Sequence, residues 1–416
     1  MRRHVEAYGS WTGHARTGAI YDGDAAGVPP GHAPRHRMIR LAVNAVPLLS
    51  PFAGVASYIR NLMTALADMA AIEPRYFYGF GWRNDLLAAA PSALAKGKSL
   101  ARRWPPLIWE ASRFVQAAVF ALEGRPNHFH LYHEPASLLL GRRLPAVVTV
   151  HDLSFVHFPQ AHPAGRVHVL EKRLPCSLEV ARAVITDSIA VREEIIRQYG
   201  VRPEKVHAIP LGVASCFRPR TPLELAPVMQ RFGLTVDAYL LSVGTLEPRK
   251  NLVRTVQAYS SLPKELRRRF PLVVVGAIGW HESSIVADLE PLARSNEARF
   301  LDYVGEDTLT SLYAGARGVL YPSLYEGFGL PIAEAMASGT AILTSNVGCM
   351  KELAEGAALL VNPADTADMA RGLRRLLEDD AERARLRAAG LERVRGLTWQ
   401  RCAELTLQVY RQVLGG

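Results

Sequence analysis

Residues 318–339 read GVLYPSLYEGFGLPIAEAMASG, and the order of residue types in that stretch decides the fold. Gly318–Ser323 is a short apolar run of the kind that forms a strand covered on both faces of a parallel sheet. Gly327 and Gly329 then permit a sharp loop and let backbone approach a ligand closely. Pro331 is preorganised for the start of a helix, and the small residues up to Gly339 continue it. Strand, glycine loop and helix in this order form part of a βαβ unit, whose ligands gather at the carboxyl ends of the strands. Glu326 on the loop and Glu334 in the first helical turn therefore face one small ligand.

Working outward, the same alternation fills the chain from residue 39. The first set of strand-like runs is 39–46, 75–81, 128–135, 146–152, 183–188 and 205–212. A second set follows at 239–244, 271–276, 300–305, 318–323, 341–345 and 358–362. Amphipathic stretches separate them, among them VASYIRNLMTALADM after Gly54 and AVREEIIRQYG after Ser188. The expected class is α/β, with two facing Rossmann-like domains of parallel strands. Their expected bounds are 38–215 and 216–396, with ASCFRPRTPLELAPV, which holds three prolines, as the linker. Residues 397–416 read as a closing helix that crosses back to the first domain. Residues 1–37, rich in Gly, His, Arg and Pro and without apolar periodicity, read as a disordered extension before a fold, and translation, starting at Met38.

Bulk properties agree with two cores. A chain of 416 residues with 49% hydrophobic residues exceeds one typical core. No uninterrupted apolar run approaches the ~20 residues of a membrane-spanning helix. Cys176, Cys216, Cys349 and Cys402 are scattered without metal-ligand spacing, as thiols in a reducing compartment are, and no metal site is expected. The formal charge of +10 favours anionic partners. Late arginines, as in RGLRRLLEDDAERARLRAAGLERVR, interleave with acids at helical spacing, which describes a solvated helix face rather than a nucleic-acid stripe.

The strand ends carry the chemistry. After LLSVG, Arg249 and Lys250 stand adjacent before a helix expected to begin near Asn251, where amide groups and the helix dipole favour an anion. A guanidinium fork beside a compact ammonium suits a diphosphate. The amides near Phe328, Gly329 and Leu330 can meet a phosphate or a sugar hydroxyl, and Glu334 can accept hydrogen bonds from a ribose. His151 ends the run AVVTVHD on the first domain, and Gly54 opens a helix whose amides form a second anion-facing set.

The ordered set AGVASYIRNL, HDLSFVHFP, AVITDS, VHAIPLGV, VGTLEPRKNL, LYPSLYEGFGLPIAEAMASG and ALLVNP resembles the retaining glycosyltransferases of family 4, with the GT-B fold, from about Met38 to the end. The chain departs from the family's pattern at Ala53-Gly54, where paired glycines are common, and at Lys351-Glu352, where a Pro-Glu pair is common. The resemblance implies a hexosyltransferase that is retaining and independent of metal or other cofactors, with a nucleotide sugar as co-substrate. Arg249 and Lys250 would neutralise the leaving nucleoside diphosphate, Glu326 would contact the transferred sugar, and His151 would lie beside it. Gly54, Gly244, Thr245, Val304, Phe328, Gly329, Leu330 and Glu334 would hold the donor, Val304 against the nucleobase and Glu334 on the ribose. Glu326 also stands as the candidate if a covalent nucleophile exists.

The wording of TLEPRKNL and SLYEGFGLP is similar to bacterial mannosyl- and deoxyhexosyltransferases of surface polysaccharide assembly, lipopolysaccharide included. It implies a GDP-sugar donor and a glycan or polyprenyl-linked acceptor in the cytoplasm. The segment 101–122, with arginines and two tryptophans beside an apolar face, suggests peripheral contact with an anionic membrane. Two rivals stay open: a GT-B-fold epimerase of nucleotide sugars, and a basic nucleic-acid-binding protein.

Overall fold

The computed structural model describes residues 38–49, 54–87, 106–276 and 283–415. The expectations for residues 1–37, for Ala53 and for 101–105 lie outside them. Two compact units divide the described chain: one runs to Gly212 and resumes at Trp399, and the other is Val213–Thr398.

In the first unit, β1 (Ile39–Asn44), β2 (Ile72–Phe77), β3 (Trp82–Arg83), β4 (Leu131–Glu134), β5 (Ala146–Val150), β6 (Ala183–Thr186) and β7 (Val206–Ala208) form a sheet in the order β3-β2-β1-β4-β5-β6-β7. Every pairing is parallel except that of β3 with β2. All residues of β5 and β6 are buried, which is why those runs are continuously apolar rather than alternating. Two expectations shift. The second strand begins at Ile72 rather than Arg75, and β3 was not anticipated, because two residues carry no period. Trp82 holds β3 in place through its ring, stacked on Phe129 at 5.0 Å between centroids.

The helix Gly54–Asp68 buries Tyr58, Ile59, Leu62, Met63 and Leu66, the spacing of one helical face. The closing helix Trp399–Leu414 packs on it and on β5, with Cys402, Leu407 and Tyr410 buried. So the chain's last helix does return to the first sheet. A buried chain of hydrogen bonds fixes that return: Tyr410 Oη to His133 Nδ1 at 2.7 Å, His133 Nε2 to Thr149 Oγ1 at 2.8 Å, and Thr149 Oγ1 to Tyr58 Oη at 3.1 Å. Burial holds His133 down at about 3, so its ring is neutral and serves both as donor and as acceptor.

In the second unit, β8 (Leu240–Val243), β9 (Leu272–Val275), β10 (Ala298–Leu301), β11 (Gly318–Tyr321), β12 (Ile342–Ser345) and β13 (Leu359–Val361) form an all-parallel sheet in the order β10-β9-β8-β11-β12-β13. The order reverses between β8 and β11, which is where such sheets open a crevice for ligand. The expected linker is shorter than the prolines suggest. Pro222–Phe232 is a helix of this unit, opened by a Thr221–Glu224 capping box with Pro222 in its first turn and closed by Gly233 in the left-handed region. Those prolines mark a helix start as readily as a loop.

The late arginine-rich run forms the helices Thr366–Glu378 and Asp380–Val394. Its charges pair as expected, Arg375 and Arg385 both reaching Glu382. All four cysteines are free, with Cys349 and Cys402 buried. Among the described residues, no helix is long and apolar enough to cross a membrane.

Candidate active site

In the second unit, β8 ends in a turn at Gly244, whose φ is +143°. The loop then forms a 3₁₀ turn at Pro248–Lys250 before the helix Leu252–Ser260. The helix starts where expected, with Asn251 as its N-cap residue in the left-handed region at φ +60°, separating the two. Asparagine tolerates that conformation. Its side chain gains from it, donating to the carbonyls of Pro322 at 3.0 Å and Pro363 at 2.7 Å. Leu324 N also donates to Arg249 O at 2.7 Å. The loops after β8 and β11 are thus bound to each other. Arg249 and Lys250 are presented from a rigid turn rather than from the first amides of a helix.

That stapling brings three expected residues together. Arg249 donates through one terminal nitrogen to Glu326 Oε2 at 2.7 Å, and Lys250 Nζ donates to Glu326 Oε1 at 2.7 Å. The other terminal nitrogen of Arg249 meets Glu247 Oε1 at 2.7 Å. Lys250 Nζ also donates to Tyr321 Oη at 2.5 Å and lies over that ring. Burial would raise the Glu326 carboxyl, but the Arg249 and Lys250 charges override it and hold it at about 2. Burial lowers the Lys250 ammonium and Arg249 adds to that, while Glu326 opposes both. Gly244, Thr245, Lys250 and Tyr321 line one small cavity beside this cluster.

After β11, Gly329 takes φ +94° and caps the helix Leu330–Ala337, with Pro331 in its first turn. Phe328 is buried, and the amides of Gly329 and Leu330 lie at the helix start, where such groups have no intrahelical acceptor. Glu334 is the fifth residue of this helix, so it stands in the second turn rather than the first. Burial pushes its carboxyl up to about 7. The Tyr313 hydroxyl and Lys250 pull it back, and Glu306 pushes it further. Tyr313 Oη is itself buried beside Glu334 without closing a hydrogen bond of standard geometry. Val304 stands apart: β10 stops at Leu301, and Val304 lies on the loop before the helix Glu306–Gly315, two strand positions from β8.

In the first unit, His151 follows β5 directly. Its Nδ1 meets Asp187 Oδ2 at 2.7 Å, and its Nε2 meets the Pro135 carbonyl at 3.0 Å. Both partners can accept, so a protonated ring donates from both nitrogens. Burial alone would lower its pKa, but the charge of Asp187 and the hydrogen bond to it raise it. Burial pushes Asp187 up in turn, against His151. The Tyr58 ring meets His151 edge-on at 4.8 Å between centroids. Gly54 opens its helix with nothing within 4 Å of where a side chain would begin, so its backbone is open on that face.

Sequence reasoning missed Glu247, Tyr321, Asn251, Tyr313 and Asp187. Glu247, Asn251 and Asp187 lie inside the quoted runs TLEPRKN and AVITDS, so proximity to Arg249 and position at a strand end were the available signals. Tyr321 and Tyr313 read as core aromatics, and nothing in their spacing separates them from others.

Comparison with known proteins matches both units. Residues 52–215 match the profile of Glycosyltransferase Family 4, and residues 230–393 match that of Glycosyl transferases group 1. The O-antigen chain mannosyltransferase B of Escherichia coli is 34% identical over 371 residues, covering 88% of this chain and 97% of that one. A serotype-specific mannosyltransferase of Escherichia coli is 30% identical over 241 residues, 57% of this chain and 29% of that longer one. Among solved structures, a sucrose-phosphate synthase from Thermosynechococcus elongatus superposes with a TM-score of 0.72 at 23% identity, covering 91% of this chain and all of that one.

Proposed function

The chain belongs to glycosyltransferase family 4, with the GT-B fold, and on that premise we propose that it transfers mannose from GDP-mannose to a hydroxyl of a glycan or polyprenyl-linked acceptor, with retention at the anomeric carbon. The mannose assignment is supported by the Escherichia coli O-antigen chain mannosyltransferase, which matches this chain over nearly its whole length. A GDP-linked deoxyhexose is the next donor in line. The observation behind the reading is the convergence of Arg249, Lys250 and Glu326 at the switch point of the second sheet, with Glu334 on the helix that follows.

The chemistry follows from where charge develops. As the bond from the anomeric carbon to the β-phosphate oxygen breaks, negative charge builds on the diphosphate and positive character on the sugar. Arg249 and Lys250 neutralise the first, so no metal is required for it, and preorganised donors of this kind each contribute ~10²–10³ in rate. Amides of Phe328, Gly329 and Leu330 add to them. The acceptor oxygen bonds to the anomeric carbon on the face the phosphate leaves, and its proton passes to the leaving phosphate oxygen. Glu326 positions the transferred sugar; its two cationic partners weaken it as a nucleophile.

Glu334 accepts from the ribose hydroxyls, Gly244 and Thr245 bound the donor near the phosphates, and Val304 is assigned to the base. On the first unit, Gly54 is assigned to backbone contact with the donor, and His151, whose ring nitrogens are held by Asp187 and Pro135, is assigned to the transferred sugar by the family resemblance alone.

The proposed place of work is the cytoplasm, at the inner membrane face. In the helix Pro106–Glu123, Phe114 and Leu122 are 72% and 65% exposed, which supports a peripheral contact.

Incubating the protein with GDP-mannose, a polyprenyl-linked glycan and a chelator tests this reading. The expected product is a glycan one mannose longer whose new linkage, read by NMR, keeps the donor's anomeric configuration. An inverted linkage, or loss of activity to the chelator that metal restores, overturns the mechanism. Conversion of the sugar nucleotide without acceptor favours the epimerase.

A further inference from the structure

Resting on the reading of Glu334 as the ribose carboxylate, we propose that Tyr313 is a positioning residue for the nucleotide: its hydroxyl closes on the Glu334 carboxylate and aims it at the ribose hydroxyls. Tyr313 lies on the helix Glu306–Gly315 and Glu334 on the helix Leu330–Ala337. Just past the second helix, Thr340 Oγ1 donates to the Tyr313 carbonyl at 2.7 Å, so the two helices are tied together at Tyr313 itself. Phe217 meets the Tyr313 ring edge-on at 5.6 Å between centroids and fixes its plane. The hydroxyl is thereby held beside Glu334.

Tyr313 is wholly buried, yet its Oη has no hydrogen-bond partner of standard geometry. Among the described residues, the half-buried Glu334 carboxylate closes none either. A donor without an acceptor thus faces an acceptor without a donor. A buried hydroxyl left unpaired is costly, and phenylalanine would fill the same space without that cost. Hydrogen bonds at active sites are commonly long before the ligand binds and tighten in the complex. The Tyr313 hydroxyl is placed to make such a bond, holding one side of the carboxylate while the other accepts from ribose.

The charges around Glu334 give this bond a signature in pH. Burial pushes the carboxyl up to about 7, Tyr313 pulls it down, Glu306 pushes it up and Lys250 pulls it down. Glu306 stands two turns before Tyr313 on the same helix face. Cys216, next to Phe217, donates to Glu306 Oε1 at 3.5 Å, and burial and the Glu306 charge keep that thiol neutral. Without the Tyr313 hydroxyl, Glu334 stays protonated to higher pH and accepts less well.

Calorimetric titration of the full chain with GDP, UDP and ADP, each beside its 2′,3′-dideoxy counterpart, tests this in the wild type and in Tyr313→Phe. The wild type is expected to bind one ribonucleotide, and its dideoxy counterpart more weakly. Tyr313→Phe is expected to weaken the ribonucleotide about tenfold, the size of one hydrogen bond to a charged group, and to leave the dideoxy counterpart unchanged. The pH below which ribonucleotide affinity is lost is expected to move up in the variant. Its Tm is expected not to fall, because the hydroxyl removed is unpaired in the fold. A merely structural role predicts a lower Tm and an equal loss for both nucleotides, and that result overturns the inference. Unchanged ribonucleotide affinity in the variant overturns it as well. If the wild type binds no ribonucleotide more tightly than its dideoxy counterpart, the ribose reading of Glu334 itself fails, and this inference with it.

Discussion

Replacing Arg249 by alanine separates what the ion cluster does for the fold from what it does for the reaction. In the structure the guanidinium spans Glu247 and Glu326, both nearly buried. Without it Glu326 keeps Lys250, whereas Glu247 loses this charge partner. Removing one member of a buried pair costs ~3–5 kcal/mol, and because Glu326 stays covered the lower figure applies, about 3 kcal/mol. For a domain of this size each kcal/mol moves Tm by about 2–4 °C, so the fall should be about 6–12 °C. Transfer should fall by ~10²–10³ in kcat, the usual loss for one preorganised donor at a developing oxyanion. Scanning calorimetry and initial-rate assays on Arg249→Ala measure the two effects. The double variant Arg249→Ala/Glu247→Gln distinguishes them: it should recover most of the Tm and none of the rate. Unchanged Tm in the single variant, or a rate restored in the double, would refute the reasoning.

Other outcomes follow from other parts of the molecule. Burial pushes the Glu334 carboxyl up to about 7 and it is proposed to accept from the ribose, so donor KM should rise as pH falls through that value; Glu334→Gln should bind weakly at every pH, and a KM that tracks pH in the variant would contradict the assignment. Its raised value also means that its ionisation opposes folding, so Glu334→Gln should gain stability over wild type as pH rises through about 7, read from urea midpoints at pH 6 and pH 8. A Cβ on Gly276 would lie 2.0 Å from the Gly244 carbonyl oxygen; Gly276→Ala should lose at least ~3 kcal/mol in urea unfolding and most donor affinity, and near-native values would mean these loops do not cross so closely. Asp187→Asn should lower the His151 pKa, followed by NMR of the imidazole protons. Because that pKa is raised in the fold, the stability lost with Asp187 should be fully visible below about pH 6.5 and fade as pH rises through the folded value; a profile without that slope would show that the pair is not ionised.

The sheets were legible because parallel strands buried on both faces write themselves as short apolar runs, as in β5, β9 and β11. β3 was not, since its position depends on Trp82 meeting Phe129 from a distant segment. Among candidate site residues, Arg249, Lys250, Glu326 and Glu334 could be singled out because glycines and prolines punctuate the loops that carry them, and the structure brings the first three together. What the sequence hid was mutual geometry. Nothing in the spacing of Arg249 and Glu326 says that they are bonded, because the link runs through Asn251 and its grip on Pro322 and Pro363. The left-handed conformation of Asn251 was hidden for the same reason, being a tertiary outcome. Pro222 misled in the opposite direction, since a proline fits a helix's first turn as well as a linker.

The central claim is that the Arg249, Lys250 and Glu334 side chains hold a nucleotide sugar. A thermal-shift panel of GDP, UDP, ADP and dTDP sugars, with a random oligonucleotide as control, tests it most directly. At ~100 times its Kd the matching donor should add ~2.7 kcal/mol of stability, with GDP-mannose the expected ligand, and Glu334→Ala should abolish the shift. A shift from the oligonucleotide alone, or from a sugar nucleotide but unchanged in Glu334→Ala, would contradict the account.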